Sequence, residues 1–260
     1  MKKTNACHCE AAKQSKQSRS IQKTFCIQRD CFVVASLLLA MTLITGVSQA
    51  ATITGKISFE GVAPAAESIK TEADPNCKMM HPNGLLNDEV IVNANGTLKD
   101  VFVYVKEGLT GKTFDAPKTP VVFDQKGCEY TPKVFGIQVG QPLEIVNSDN
   151  TLHNVHSLAQ TNAPFNLGMP IQGMKLKKKF TKPEVMVKIK CEVHPWMHAY
   201  CGVLDHPFFS VTNDQGTFEI KTLPPGQYVI EAWHQKYGAQ TQNVTVGTDS
   251  ESKDVSFSFK

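Results

Sequence analysis

Seven residues, Cys191-Glu192-Val193-His194-Pro195-Trp196-Met197, bring a thiol, an imidazole and a thioether into one short segment. Ahead of them Val185, Val187, Ile189 and Cys191 are apolar at every second position, with Met186, Lys188 and Lys190 between. That alternation predicts a strand with Cys191 on its buried face at the end. The loop beyond would return His194 and Met197 towards the same point. A further nitrogen is offered by Leu152-His153-Asn154-Val155-His156, which reads as another strand end. Two imidazoles, a thiolate and a long axial thioether are the donor set of a blue-copper electron-transfer site. The plainer reading makes Cys191 a small hydrophobe on a buried strand. Four donors in order, with strand-like flanks, weigh against it.

These motifs resemble the cupredoxins, most closely those with an amicyanin-like loop, over roughly Pro120 to Leu204, about a third of the chain. The resemblance implies a Greek-key sandwich holding copper through His153, Cys191, His194 and Met197. It gives Asn154 the task of tying the two ligand-bearing segments together, and it makes His156 part of the motif without being a ligand. Two departures stand out. Leu152 occupies a proline position of that family, and Glu192-Val193 replaces its Thr-Pro. Both leave the donor atoms in place.

The elements that must position these residues read as strands. Residues 1–30 are basic, and the uncharged run Cys31 to Val47 that follows has 17 residues before Ser48-Gln49-Ala50. This predicts a signal peptide, residues 1–50, cut after Ala50, and hence a periplasmic location. An uncleaved anchor is the alternative, at a length marginal for a membrane span. Cys7, Cys9, Cys26 and Cys31 would leave with the leader. Of 27 basic residues seven lie in the first 50, and of 24 acidic residues two do, which leaves 20 against 22. A formal charge of +3 becomes −2, so the basic balance belongs to the leader and gives no reason to expect a nucleic-acid partner. No membrane span is expected after cleavage.

The remaining 210 residues are all-β in texture: short apolar alternations broken by Gly, Pro, Asn and Asp, without helical periodicity. Ile53 to Phe59, Val101 to Val105, Ile137 to Val139, Leu143 to Ile145, Phe218 to Ile220, Tyr228 to Ala232 and Val255 to Phe259 read as strands. Asn95-Gly96 and Pro224-Pro225-Gly226 read as turns. Asp214-Gln215-Gly216-Thr217-Phe218-Glu219-Ile220 with Leu223-Pro224-Pro225-Gly226-Gln227-Tyr228 resembles the carboxypeptidase regulatory-like, or transthyretin-like, β-sandwich, and Ile53-Thr54-Gly55-Lys56-Ile57 matches its opening strand. This implies a split sandwich from residues 51–112 and 206–260, with the cupredoxin, residues 113–205, inserted at a loop. A simple tandem is the alternative. The motifs of the sandwich are structural and carry no catalysis.

Other chemistry is sparse. Cys77-Lys78-Met79-Met80-His81 gathers soft ligands suited to Cu(I), or is a stapled surface loop. Lys175 and Lys177 to Lys179 read as a solvated strand edge, or as a docking patch for an acidic partner. No phosphate loop, nucleophile elbow or His-Glu-x-x-His is present in the sequence. No catalytic residues are assigned, and the chain is expected not to be an enzyme. It is expected to be an exported one-electron carrier with an unidentified redox partner protein. The alternatives are a copper-handling protein, or a scaffold with a structural metal. An oxidising compartment favours thiol pairing, and the turn-like settings of Cys77 and Cys128 predict a disulfide between them, leaving Cys201 over. Finally, His194 should show its outer edge at the surface, within a patch of Pro195, Trp196, Met169 or Pro170, and His198.

Overall fold

The computed structural model describes residues 50–248 and 252–260. The leader, apart from Ala50, lies outside them. The chain begins with β1 (Ala51–Phe59), β2 (Ser68–Ile69), a one-turn helix α1 (Pro75–Met80), β3 (Leu85–Leu86) and β4 (Phe102–Glu107). Next come β5 (Val121–Gln125), β6 (Tyr130–Thr131), β7 (Val134–Gln138), β8 (Leu143–Asn147) and β9 (His153–Ser157). They are followed by β10 (Phe165–Met169), β11 (Lys175–Lys178), β12 (Glu184–Lys190) and β13 (His198–Leu204). The last stretch carries β14 (Phe209–Val211), β15 (Thr217–Leu223), β16 (Gly226–His234), β17 (Gly238–Val246), β18 (Lys253–Asp254) and β19 (Phe257–Phe259).

The protein is all-β and built from open sheets. One sheet runs β10-β9-β12-β13-β7 and another β11-β8-β5-β6. Between them lies a core that includes Phe123, Ile145, Val155, Ile189, Ala199 and Val203. In the other set, β1 pairs with β15, β18 and β19, and a separate sheet runs β14-β4-β16-β17. Ile53, Ile57, Val103, Val105, Ile220, Ile230 and Phe257 fill the space between those two sheets. Each pair of sheets is hydrophobic on its inner faces, as sandwich packing requires. Among the described residues, no strand ladder joins β5–β13 to the strands before or after them. A third cluster, Phe102, Tyr104, Val134 and Leu204, fills the contact between the two sets.

Strand β12 departs from the simple alternation. Met186 adopts φ +58°, and the register against β13 shifts between Glu184 and Val187. This bulge reverses the phase, so Val185 is 40% exposed, while Val187, Ile189 and Cys191 stay buried. The segment before α1 also differs from expectation. It reads as a turn in sequence, but Asp74 caps a helix with Pro75 at its start, accepting the N–H groups of Asn76 and Cys77 at 2.7 and 3.3 Å.

Candidate metal centre

Two pairs of strands aim the candidate ligands. β9 opens with His153 opposite Met169 of β10. β12 ends beside β9, with Lys190 opposite His156, so Cys191 arrives at the same end of the sheet. The loop that follows is closed by its own backbone: Cys191 N–H donates to Met197 O at 3.0 Å, and Met197 N–H to His194 O at 2.9 Å. Asn154 ties the two segments, its Oδ1 accepting the Glu192 N–H at 2.9 Å. The result brings one ligand atom each from His153, Cys191 and His194 within 4.8 Å of one another. Relative exposures are 0% for His153, 3% for Cys191, 2% for His194 and 2% for Met197.

The electrostatics follow from this closeness. The Nδ1 atoms of His153 and His194 are 3.0 Å apart, and Cys191 Sγ lies 3.9 Å from His194 Nδ1. His153 Nε2 sits 2.8 Å from Asp149 Oδ2, and His194 Nε2 3.1 Å from Asp74 Oδ2. A carboxylate only accepts, so each outer nitrogen carries the proton it donates. The two Nδ1 atoms then face one another beside sulfur and cannot both carry bare lone pairs, so a proton between them or a metal cation settles the arrangement. Burial alone would raise the Cys191 thiol, but hydrogen bonds from His153, from His194 and from the His194 and Val193 N–H groups outweigh it, holding it at about 6. Burial lowers His153, but the Asp149 and Cys191 partners raise it to about 8. Asp149 is held below its usual range: burial raises it, but His153 and the Cys128 and Gly127 N–H groups lower it further.

Two expectations for the loop need correction. His194 does not show its outer edge at the surface, because Asp74 and Cys77 of the α1 segment cover it, with Cys77 Sγ 3.5 Å from Nε2. Met169 is fully buried and so lines no surface patch. Trp196 is half-buried, its ring centroid 5.1 Å from that of His194 and its indole N–H donating to Cys128 O at 2.9 Å. His198 bonds to Trp196 O and to Gln235 instead. His156 points elsewhere, to Glu192.

The soft-ligand run around Cys77 does not assemble as one site. Cys77 is joined to Cys128, as the turn settings predicted, while Met79 is 72% exposed and His81 bonds to Gly127 O. Cys201 is free and buried. Lys175 and Lys177 lie on the edge strand β11 and pair with Glu144. Asp149, Asp74 and the placement of the predicted disulfide against His194 are what motif reading missed. The Asp74-Pro75 pair, a helix start signal, was the one available cue.

Comparison with known proteins finds the second beta sandwich domain of the family described as BOS complex subunit NOMO1-like at residues 209–259. That agrees with a sandwich in the C-terminal part. No curated protein matches the chain. Among solved structures it is similar to a copper-containing nitrite reductase from Thermus scotoductus SA-01, at 27% identity and TM-score 0.32. That match covers 38% of this chain and only 25% of the reductase. It is also similar to a purple cupredoxin from Nitrosopumilus maritimus, at 22% identity and TM-score 0.28, covering 32% of this chain and 97% of that one. An amicyanin variant in its Cu(I) form matches at 19% identity and TM-score 0.30, covering 40% and 98%.

Proposed function

We propose that this chain is an exported one-electron carrier that binds one copper ion through His153, Cys191, His194 and Met197. The observation that carries the reading is the donor set itself. Two imidazole Nδ1 atoms and a thiolate-prone sulfur converge in a closed interior. Soft sulfur and imidazole donors in one site suit copper among the first-row ions. Copper bound there would supply a one-electron couple between Cu(I) and Cu(II).

The residues divide the remaining work. Asp149 and Asp74 fix the tautomers of His153 and His194 by accepting their Nε2–H groups, which orients both rings before metal arrives. Asn154 holds the Cys191 segment against β9. The four ligand residues are 0 to 3% exposed, which favours a carrier over an oxidase. A redox partner protein is part of this reading, as is export past the leader. The split sandwich of residues 51–112 and 206–260 around a cupredoxin body, residues 113–205, is proposed with it, supported by the strand pairing. No helix among the described residues is long and apolar enough to cross a membrane.

Visible and EPR spectra of the copper-loaded protein test the reading. An intense thiolate-to-Cu(II) absorption with a small parallel hyperfine splitting is expected, and Cys191→Ser should abolish it. A colourless Cu(II) protein with a tetragonal signal would overturn it in favour of copper handling. One observation favours that second reading: two further sulfurs lie against His194.

A further inference from the structure

The Cys77–Cys128 disulfide lies against the outer edge of His194. Cys77 Sγ is 3.5 Å from His194 Nε2, and one atom each from Cys77, Cys128 and His194 fall within 4.8 Å of one another. Both cysteines are fully buried. The imidazole therefore separates two groups of sulfur and nitrogen: Cys191 and His153 on its Nδ1 side, the disulfide on its Nε2 side. We propose that Cys77, Cys128 and His194 form a second, thiol-gated site that takes Cu(I) when the disulfide is reduced. It goes beyond the blue-copper reading and shares only His194 with it.

Opening the gate needs an external dithiol. Its two S–H groups become a disulfide, the Cys77–Cys128 bond accepts two electrons and two protons, and two thiols form. On binding Cu(I) those thiols release their protons to solvent, and two soft thiolates face the ion, the donor type that selects Cu(I). A neutral imidazole has one free lone pair, so Cu(I) at Nε2 requires the proton held against Asp74 to move to Nδ1, and His194 serves one side at a time.

The surroundings suit a gate. Helix α1 buries Cys77 alone, and a single isolated turn has little stability of its own, so local opening would expose the sulfur atoms. Cys128 sits at φ +53°, a left-handed conformation that side chains other than glycine avoid. Asp149 grips both sides at once, accepting the Cys128 N–H at 2.8 Å while holding His153.

The test uses the full chain carrying Cys191→Ser, which removes the thiolate of the first site. It is reduced with a phosphine, freed of it, and titrated without oxygen with Cu(I) against a chromogenic Cu(I) chelator. One equivalent should bind about a hundredfold or more tightly than in the double variants Cys77→Ser/Cys191→Ser and Cys128→Ser/Cys191→Ser, all reduced alike. The leader cysteines are common to all three and cancel. Equal binding in the three would overturn the proposal. So would loss of the folded near-ultraviolet dichroism on reduction, since the site needs its frame. The colour of the wild-type protein is unaffected by either outcome, so the carrier reading stands or falls separately.

Discussion

At the scale of single residues, Asp149 is the most consequential side chain outside the ligands. It accepts from His153 and from the Gly127 and Cys128 N–H groups at 2.8 Å each. Asp149→Asn keeps the shape but weakens the hold on His153, and copper affinity should fall about 10–100-fold in a chelator competition. His234 contributes to acid stability instead. It is buried, and its Nδ1 accepts the N–H groups of Lys236 and Tyr237, so it must be neutral. Burial depresses it from 6.5 to about 4, against a smaller opposing pull from Glu89. Between these values the unfolded chain binds the extra proton, so stability rises with pH and is lost as pH falls from about 6.5 to about 4. The loss is about 3 kcal/mol by linkage, and urea unfolding across that range should show it, flattened in His234→Gln. The ligands were legible because donor type and spacing are local. Asp74 was hidden because it meets His194 across 120 residues, and no pattern in a single sequence records that distance.

At the scale of elements, α1 is the clearest departure from a chain read as strands and turns. Its six residues are too few to show a helical period, and its start is set by Asp74, whose carboxylate also accepts from Thr151 and His194. Burial would raise that carboxyl, but bonds from Thr151, His194, Asn76 and Cys77 bring it to about 2. Asp74→Ala removes the cap and should cost about 1 kcal/mol in thermal or chemical unfolding. It should also unfasten the cover of His194, which faster imidazole modification of the metal-free protein would report. The other strands were legible because alternation survives wherever one face is buried. It failed in β12 at Met186, where the left-handed residue shifts the pattern by one and leaves Val185 outside.

At the scale of the whole molecule, the two sandwiches meet through rings laid on glycines. A Cβ added at Gly202 would come within 2.3 Å of the Phe102 ring, and one at Gly136 within 2.2 Å of Phe209. Phe102 is fully buried and cannot swing away. Gly202→Ala should therefore lower unfolding stability by about 1–3 kcal/mol while leaving the copper spectrum in place. Unchanged stability would show that the contact yields. The pairing of β1 carries a consequence of another kind, one of time. Its partners β15, β18 and β19 begin at residues 217, 253 and 257, whereas every partner of β5 to β13 has been made by residue 204. At ribosomal speed β1 waits roughly ten to thirty seconds for its first strand partner, held until then only by the Ser58–Thr97 bridge at its end and with the rest of its edges open to the wrong strand. The body that bears the ligands can close during that wait, so newborn chains should acquire the metal pocket before the sandwich around it is complete.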